Sequence, residues 1–286
     1  MAEIVMRHSD LNQTFPWVKL LPLHHFKLHT PVSDYDAKKK KFGDMITLYG
    51  RKPVLEILID TSIQVFRLHL ADSNMKGETI GQIERLAAER NIEIVRHSKQ
   101  ALSRISKNAR QDQGVAIDIQ ALRYQSVDNI DPDTSEILGL DQITNPQNLG
   151  MIIRSVAASP THALLLPKKG CARIDPLVHK ASAGTLIKSS IYHCPTLETG
   201  IKKLKSEGFE VFGLDGNADT PLSAIGSSAG TRRLFLLGNE TTGLSEASLR
   251  LCDQLVSIPL RNNVESINVA NAATLVAFRS TFTRPD

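Results

Sequence analysis

The sequence has few cysteines and no long apolar run. Its three cysteines, Cys171, Cys194 and Cys252, are far apart and form no Cys-x-x-Cys pair. This spacing argues against a disulfide framework and a zinc site, and it predicts a reducing, cytoplasmic location and no bound metal. No apolar run reaches the ~18 residues of a membrane span, and the N-terminus mixes charged with apolar residues, unlike a secretory signal. We therefore expect no partnership with a membrane.

Several common enzyme motifs are also missing. The sequence contains no Gly-x-x-x-x-Gly-Lys-[Ser/Thr] phosphate loop and no Gly-x-Gly-x-x-Gly fingerprint. It has no Gly-x-Ser-x-Gly elbow, and its nine histidines show no His-Glu-x-x-His spacing. These absences disfavour a serine hydrolase, a zinc hydrolase and a nucleotide-dependent enzyme of ordinary doubly wound topology.

The bulk composition is that of a globular protein. The chain has 286 residues, of which 41% are hydrophobic, so it can form two domains of ordinary size with packed cores. The net charge of +4 and the pI of about 8.9 are mildly basic. This balance is compatible with a polyanionic partner but does not require one.

The N-terminal half divides into two regions. Residues 1–45 look like a separate, partly extended or disordered extension, which contains Trp17 and the Lys38–Lys41 run. The run could be a solvated linker or an arm that binds RNA phosphates. Residues 46–120 alternate between strand and helix patterns and predict a small α/β domain. The basic stretch around Arg104, Lys107 and Arg110 could be an ordinary surface loop or one that faces RNA.

The C-terminal half predicts a parallel sheet. Residues 121–135 look like a linker, and from residue 136 to residue 286 short apolar strands alternate with helices. The predicted strands are Glu136–Leu140, Ala163–Leu166, Ser190–Cys194, Glu210–Leu214, Leu234–Leu237 and Gln254–Ile258. The predicted helices are Asn148–Ala158, Pro176–Ser182, Leu197–Glu207, Ser245–Leu251 and Asn268–Phe282.

Two polar clusters follow the first and fifth of these strands. In the first, Asn148 can cap a helix that carries Arg154, a side chain long enough to reach the helix start or a neighbouring subunit. A plain cap and a surface arginine would explain the same residues. In the second, Gly238 permits a close approach to the backbone, and Glu240 lies in the loop before a helix capped by Ser245. Glu240 could orient a ligand or simply interact with the helix N-terminus.

A third cluster follows the last strand. A long polar loop containing Ser266 enters a nearly all-apolar helix after Asn268, and such a helix is expected to be buried. Ser266 or Asn268 could be the N-cap alone, or could also contact a ligand. Because the carboxyl ends of strands in open α/β sheets bind ligands, the three clusters predict one composite site. Its arginine, glutamate, serine, asparagines and backbone suit a polar, partly apolar, nucleoside-like ligand with a hydroxyl to orient.

The order and spacing of the clusters resemble those of a known family. The residues that match are Asn-Leu-Gly…Arg at 148–154, Gly-x-Glu-x-x-Gly-Leu at 238–244, and Ile-Pro-Leu…Ser-x-Asn-Val-Ala at 258–270. They resemble the three motifs of the SpoU (TrmH-like) RNA 2'-O-ribose methyltransferases of the SPOUT superfamily. Leu48-Tyr49-Gly50 and Gln113-Gly114-Val115-Ala116 resemble the L30e-like substrate-binding domain of that family. Asn145 departs from the aspartate that is frequent in relatives.

This resemblance implies a fold, a reaction and a partner. The fold is α/β, with a deep C-terminal trefoil knot in which the helix after Asn268 would be threaded and packed at a homodimer interface. The reaction is methyl transfer from S-adenosylmethionine to a ribose hydroxyl of structured RNA, foremost a guanosine of 23S rRNA. A tRNA substrate and a catalytically silent RNA-binding protein are the alternatives.

The resemblance also assigns site residues by position. The implied catalytic set is Asn148, Arg154, Glu240, Ser266 and Asn268. The implied cofactor-binding set is Leu214, Gly238, Ile258, Leu260 and Ile267. Arg154 is proposed as the base in the family, but its guanidinium stays protonated and is better suited to aligning the hydroxyl and a phosphate.

Overall fold

The computed structural model describes residues 45–74, 77–122, 124–161, 163–226 and 230–282. All of them belong to one compact unit, Gly43–Asp286. Trp17 and the Lys38–Lys41 run of the predicted N-terminal extension lie outside the described residues. In the described part of the chain, no helix combines the length and apolar character needed to cross a bilayer.

The first part of the chain forms a four-stranded sheet with three helices. Its strands are β1 (Met45–Tyr49), β2 (Val65–Ala71), β3 (Ile94–His97) and β4 (Val115–Gln120), and its helices are α1 (Arg51–Ile59), α2 (Glu78–Glu89) and α3 (Lys99–Ser106). The sheet order is β1-β4-β2-β3, with β4 antiparallel to both neighbours and β2 parallel to β3. The predicted α/β pattern is confirmed.

The two faces of this small sheet differ in chemistry. Leu48, Leu68 and Ile117 belong to the apolar cluster with α1 and α2. Since side chains alternate along strands, the intervening residues point to the other face, which α3 covers in part.

That second face carries a polar chain that crosses all four strands. Thr47 Oγ1 donates to Asp118 at 2.6 Å, and Asp118 is 3.0 Å from His69 Nε2. His69 Nδ1 and His97 Nε2 share a hydrogen bond of 2.9 Å. Burial alone would raise the pKa of Asp118, but the hydrogen bonds from His69 and Thr47 hold it below its ordinary value.

The second part of the chain forms a seven-stranded sheet. Its strands are β5 (Gln125–Ser126), β6 (Glu136–Leu140), β7 (Ala163–Pro167), β8 (Ser190–Cys194), β9 (Phe209–Leu214), β10 (Arg232–Leu237) and β11 (Gln254–Val256). The order is β11-β9-β10-β6-β7-β8-β5, and every pairing is parallel. The predicted α/β fold with a parallel sheet is therefore confirmed. The segment expected as a linker contributes the edge strand β5.

Helices cover both faces of this sheet, as the unbroken apolar strands predict. They are α4 (Pro146–Ala157), α5 (Pro176–Ala181), α6 (Leu197–Ser206), α7 (Glu246–Leu249), α8 (Val269–Ala277) and α9 (Arg279–Phe282). Helices α4, α5 and α8 pack on one face, and α6 and α7 pack on the other. Helix α4 crosses α5 closely at Gly150, where an added Cβ would lie 2.4 Å from the Cβ of Ala181.

The predicted helix Asn268–Phe282 is interrupted. Helix α8 ends at Ala277, Phe278 is its C-cap, and α9 begins at Arg279. The side chain of Arg279 turns inward and donates to the carbonyl of Ile225 at 2.6 Å and to Glu136. The expected burial of the helix also holds for one face only, because Leu275 on α8 is 46% exposed.

A candidate active site at the carboxyl ends of four strands

The three polar clusters meet at one edge of the large sheet. Strands β6, β9, β10 and β11 are parallel, so their carboxyl ends share this edge. The chain order reverses where β10 lies beside β6, and in open α/β sheets such a switch point is where ligands bind. Asn148 follows β6, Glu240 follows β10, and Asn268 follows β11. The three clusters therefore lie at one place in the fold, as predicted from the sequence.

A hydrogen-bonded network joins one residue from each cluster. Asn148 Nδ2 donates to Glu240 Oε1, and Asn148 Oδ1 accepts from Asn268 Nδ2 at 3.2 Å. Asn268 Oδ1 also accepts from the amide of Ala270 at 2.8 Å, which makes it the N-cap of α8. Asn268 thus has both of the roles that the sequence left open, a helix cap and a member of the site.

The expectation that Asn148 caps its helix is wrong. Asn145 is the N-cap of α4, its Oδ1 accepting from the amide of Gln147 at 2.9 Å, and Pro146 follows as the first helical residue. A proline favours that first position because its missing N–H would be unpaired there in any case. The cap provided by Asn145 leaves the side chain of Asn148 free to bind Glu240.

A cavity of about 200 Å³ lies beside this network. All five residues of the expected cofactor-binding set line it, namely Leu214, Gly238, Ile258, Leu260 and Ile267. Of the expected catalytic set, Glu240 and Ser266 also line it, and Asn148 and Asn268 join it through the contact with Glu240. Only Arg154 of the ten residues is neither in the lining nor in this network.

The lining suits a nucleoside that carries positive charge. Leu214, Ile258 and Ile267 offer apolar side chains, as the faces of a base require. Within the described ranges, the backbone groups of Ile258, Leu260 and Ile267 form no hydrogen bond with other backbone groups. They can therefore bind the donor and acceptor edge of a base. Three further lining residues, Asp215, Glu240 and Glu265, are carboxylates and favour a cationic group.

Glycine is needed at position 238 for a structural reason that the sequence did not indicate. The amide and carbonyl of Asn239 pair with those of Gly243 at 3.0 and 2.9 Å. A Cβ on Gly238 would lie 2.2 Å from the carbonyl carbon of Gly243 and 2.4 Å from the amide nitrogen of Leu244. The close approach expected at this glycine is thus made by the loop's own backbone. Glycine is required so that the loop presenting Glu240 can close.

Arg154 lies on the exposed face of α4. It has no hydrogen bond or ion pair with the described residues. Helix α8 packs alongside α4, with Ser155 Oγ 2.7 Å from Thr274 Oγ1. On this outer surface Met151 and Leu275 are each 46% exposed. Arg154 is therefore an unpaired cation on a partly apolar surface, on a different side of α4 from Asn148.

Two protein-family models match the chain. Residues 135–278 match the SpoU rRNA Methylase family, and residues 47–125 match the family described as RNA 2'-O ribose methyltransferase substrate binding. The chain belongs to the SpoU rRNA methylase family. The resemblance drawn from the three motifs is confirmed, and each match covers most of one of the two sheets.

Curated relatives of the SpoU protein carry broad names. An uncharacterized tRNA/rRNA methyltransferase of Mycolicibacterium gilvum is 30% identical over 269 residues, covering 89% of this chain and 84% of the relative. One from Mycobacterium leprae is 30% identical over 243 residues, covering 83% and 77%. The names place the SpoU chain among tRNA/rRNA methyltransferases and go no further.

Solved structures share the SpoU fold at low sequence identity. The SpoU methyltransferase AviRb from Streptomyces viridochromogenes, in complex with the cofactor AdoMet, has a TM-score of 0.70 at 23% identity, covering 86% of this chain and 94% of that chain. An AdoMet-bound rRNA methyltransferase from Sinorhizobium meliloti has a TM-score of 0.68 at 20% identity, covering 85% and 89%. These similarities support the two-sheet fold.

Asp141 of the SpoU domain was missed by the sequence reasoning. It directly follows β6, is 5% exposed, and its Oδ2 accepts from the amide of Ser245 at 2.8 Å. Its own amide donates to the carbonyl of Leu237 at 2.8 Å. Asp141 therefore ties the first cluster to the second. An aspartate that directly follows an apolar strand was the available signal.

Cys171 lies close to β6, the strand that leads into the first polar cluster. Cys171 Sγ lies 3.4 Å from the carbonyl of Leu140, and burial raises the pKa of this thiol to about 11, which keeps it protonated near neutral pH. Over the described ranges, no group of three or more His, Cys, Asp or Glu residues is arranged to hold a metal ion.

Proposed function

We propose that this chain transfers a methyl group from S-adenosylmethionine to a ribose 2'-hydroxyl of RNA. The observation that carries the proposal is the Asn148–Glu240–Asn268 network beside a nucleoside-sized cavity, in a member of the SpoU family. Two proteins of the same fold were solved with AdoMet. We extend that cofactor to this chain because the cavity combines apolar walls, carboxylates, and backbone groups that lack backbone partners within the described ranges, and all three fit it.

The expected cofactor-binding residues would hold S-adenosylmethionine in this cavity. When bound, it supplies a sulfonium methyl group that a ribose oxygen can attack. Leu214, Ile258 and Ile267 would pack against the base, and the backbone of Leu260 and Gly238 would complete the cradle. Asp215 and Glu265 would favour the positive charge of the cofactor.

The polar network would position the ribose hydroxyl. Attack on the methyl group requires a fixed in-line geometry and an acceptor for the hydroxyl proton. We assign Asn148, Ser266 and Asn268 to positioning. Glu240 is our candidate for the proton acceptor, because its carboxylate lines the cavity and is itself held by Asn148.

We propose that Arg154 acts in the site of a second copy of the chain. It points away from its own network, on the surface that also exposes Met151 and Leu275. A homodimer that buries this surface would remove the apolar side chains from water and carry Arg154 across to the partner. There its guanidinium would bind a phosphate or align the hydroxyl, and it would remain protonated.

The proposal includes a knotted chain path. Strand β11 lies at the far edge of the sheet, beyond β9, whereas α8 returns to pack on α4, which follows β6. We propose that this return threads the C-terminal segment through a trefoil knot, a path that few proteins have.

For the substrate, we propose a guanosine of 23S rRNA, with tRNA as the second candidate. The matching family is named for rRNA, and the relatives are named for both RNA classes.

For the location, we propose the cytoplasm. All three cysteines are free, in keeping with the reducing cytoplasm expected for the protein.

The test uses methyl-labelled S-adenosylmethionine and total RNA from a strain that lacks the gene. We expect label at one ribose 2'-oxygen, located by mapping ribose methylation in RNA with and without the gene. Protein that binds the cofactor in calorimetry but labels neither rRNA nor tRNA would contradict the proposal.

A further inference from the structure

A second cavity, of about 510 Å³, lies where the four-stranded sheet meets the larger domain. Strand β1 and the end of α3 form one wall, and the segment 174–177, which leads into α5, forms the other. Its volume falls within the ~300–1,000 Å³ of typical small-molecule sites. None of its lining residues lines the proposed cofactor cavity. We call this cavity the interdomain cleft.

The walls of the cleft combine apolar surface with a few polar groups. Met45, Ile105 and Leu177 supply half-exposed apolar side chains. Asn108 Nδ2 donates to the hydroxyl of Tyr49 at 2.9 Å, while Asn108 Oδ1 has no hydrogen-bond partner in the described part of the chain. An open amide oxygen between aliphatic walls is suited to a flat ring with donors on its edge, as a nucleobase has.

The loop that presents Asn108 is held in place from within. Asp112 is 3% exposed and accepts from Ser106 Oγ and from the amide of Gly114, both at 2.9 Å. Ser106 Oγ in turn accepts from the amide of Asn108 at 3.2 Å. A loop fixed in this way loses little conformational freedom when a ligand binds.

Basic side chains lie at or near the α3 wall of the cleft, since Lys107 is in its lining and Arg104 and Arg110 are within three residues of Lys107 in the sequence. Arg104, Lys107 and Arg110 are exposed around the end of α3, and none forms an ion pair with the described residues. Lys107 has a left-handed backbone, with φ of 55°, at a position where glycine would be unstrained. The carboxylate of Asp175, also in the lining, accepts from the amide of Val178 at 2.9 Å. Cations without an ion-pair partner among the described residues, near a partly apolar cleft, are suited to binding the phosphates of an RNA backbone.

We propose that the interdomain cleft binds one unpaired nucleotide of the RNA substrate, with the base inside and the adjoining phosphates on Arg104, Lys107 and Arg110. This inference rests on the proposed function, because it assumes that RNA is the partner. It adds that the chain selects RNA with an unstacked nucleotide, since a paired base in a helix cannot enter a cleft. Both the small sheet and the segment before α5 contribute to this recognition.

The experiment measures binding of fluorescein-labelled 12-nucleotide RNAs to the full chain by anisotropy. The probes are homopolymers of A, U and C, together with a perfect duplex of the same length. Leu177→Trp fills the cleft from the α5 side, and Leu177→Met is its matched control. Lys107→Glu/Arg110→Glu reverses the rim charge, and Arg85→Glu is its control, an exposed arginine on α2 on the opposite face of the same sheet.

We expect at least one homopolymer to bind more tightly than the duplex. Leu177→Trp should weaken that binding at least about fivefold with an unchanged salt dependence, because it blocks the base and leaves the phosphate contacts. The charge reversal should weaken binding at least about tenfold and flatten the salt dependence, since each phosphate contact contributes about 0.7 to the slope for single strands. Leu177→Met and Arg85→Glu should stay within about twofold of the parent chain.

Three results would overturn the inference. They are equal binding by Leu177→Trp and Leu177→Met, equal binding by the rim double variant and Arg85→Glu, and tighter binding of the duplex than of every homopolymer. If Leu177→Trp fails to fold, a photo-crosslinking residue at position 177 replaces it. A cross-link to RNA then supports the inference, and a cross-link to residues 1–44 of the chain overturns it.

The same samples separate this inference from the proposed function. Methylation and cofactor binding are measured on the parent chain. If the enzyme is active but the cleft variants bind oligonucleotides as tightly as the parent chain, the inference about the cleft is contradicted and the proposed function stands. If the chain binds oligonucleotides through the cleft but methylates no RNA, the proposed function is contradicted and the inference about the cleft stands.

Discussion

The two ends of the seven-stranded sheet use similar polar residues in opposite ways. At the amino end, Glu136, Arg233 and Arg279 are nearly inaccessible and interact with one another, with Arg233 Nη1 3.7 Å from Glu136 and Arg279 hydrogen-bonded to it. At the carboxyl end, Glu240 and Ser266 are exposed to a cavity.

This difference separates stability from chemistry along a single sheet. A buried charge is tolerated only when partners compensate for its loss of hydration. At the amino end the buried charges compensate one another. Polar groups that are to bind a ligand must keep unused hydrogen-bonding capacity, which is what the carboxyl end retains. Changes at the amino end should therefore reduce stability, and changes at the carboxyl end should reduce activity without unfolding the protein.

The largest expected effect is at the amino end. Glu136→Ala leaves Arg233 and Arg279 buried without their carboxylate, so the free energy of unfolding should fall by about 3–5 kcal/mol. Denaturant unfolding followed by circular dichroism measures this loss. Glu210→Ala, an exposed glutamate on the neighbouring strand β9, is the control and should change stability by less than about 0.5 kcal/mol. Equal effects of the two changes would break the comparison.

For the site at the carboxyl end, which we propose is completed by Arg154 of a second copy, we predict that Arg154→Ala lowers methyl transfer about 10²–10³-fold, as expected for loss of a group that stabilises the transition state. Cofactor affinity should stay within a few-fold of the parent and the melting temperature should not move. Single-turnover methylation, calorimetry and thermal denaturation measure the three quantities. Arg85→Ala serves as the control, and a fully active Arg154→Ala enzyme would remove our assignment.

His179 tests a buried group that belongs to neither end. Its Nε2 has no hydrogen-bond partner among the described residues, and burial lowers its pKa from 6.5 to about 4. The folded state therefore favours neutral His179, and this part of the stability is complete above pH 6.5 and is lost as the pH falls towards 4.

From these values, lowering the pH from about 7 to about 5 should remove roughly 2 kcal/mol through His179. His179→Leu should remove that pH dependence. The measurement is denaturant unfolding of both proteins at the two pH values. An unchanged slope of stability against pH in the variant would show that His179 is protonated in the fold, or already exposed.

An effect of comparable size is expected in the helix that carries the site. Gly150→Ala places a Cβ 2.4 Å from that of Ala181 and 2.8 Å from the carbonyl of Val178, so it should destabilise the protein by about 1–3 kcal/mol. Gly81→Ala in α2, where an added Cβ meets no atom within 4 Å, should stabilise it by about 0.5–1 kcal/mol. Melting temperatures compare the two, and shifts in the same direction would contradict the packing argument.

Much of the fold was predictable because its strands are short apolar runs between helices. The position of the site was predictable for a related reason, since all three polar clusters follow such strands. The helix start at Asn145 was not, because Asn145 and Asn148 are equally good caps by type and only the contact with Glu240 separates them.

The remaining differences depend on contacts between distant parts of the chain. The break before Arg279 reflects its bonds to Ile225 and Glu136, which no local pattern reveals. The need for glycine at position 238 comes from the backbone pairing of Asn239 with Gly243, within a loop of unpredicted shape. The catalytic roles of the site residues stay predictions.

The polar chain of the small sheet has a consequence for how its strands are aligned. A shift of one residue between neighbouring strands would turn the apolar side chains of the core face towards solvent, so the alternation of apolar and polar residues disfavours it. A shift of two residues keeps every side chain on its own face, so the alternation does not prevent it. Such a shift would separate Thr47 from Asp118, or His69 from both Asp118 and His97. Buried polar groups would then lose their hydrogen-bond partners. These side-chain hydrogen bonds therefore favour a single register for all four strands.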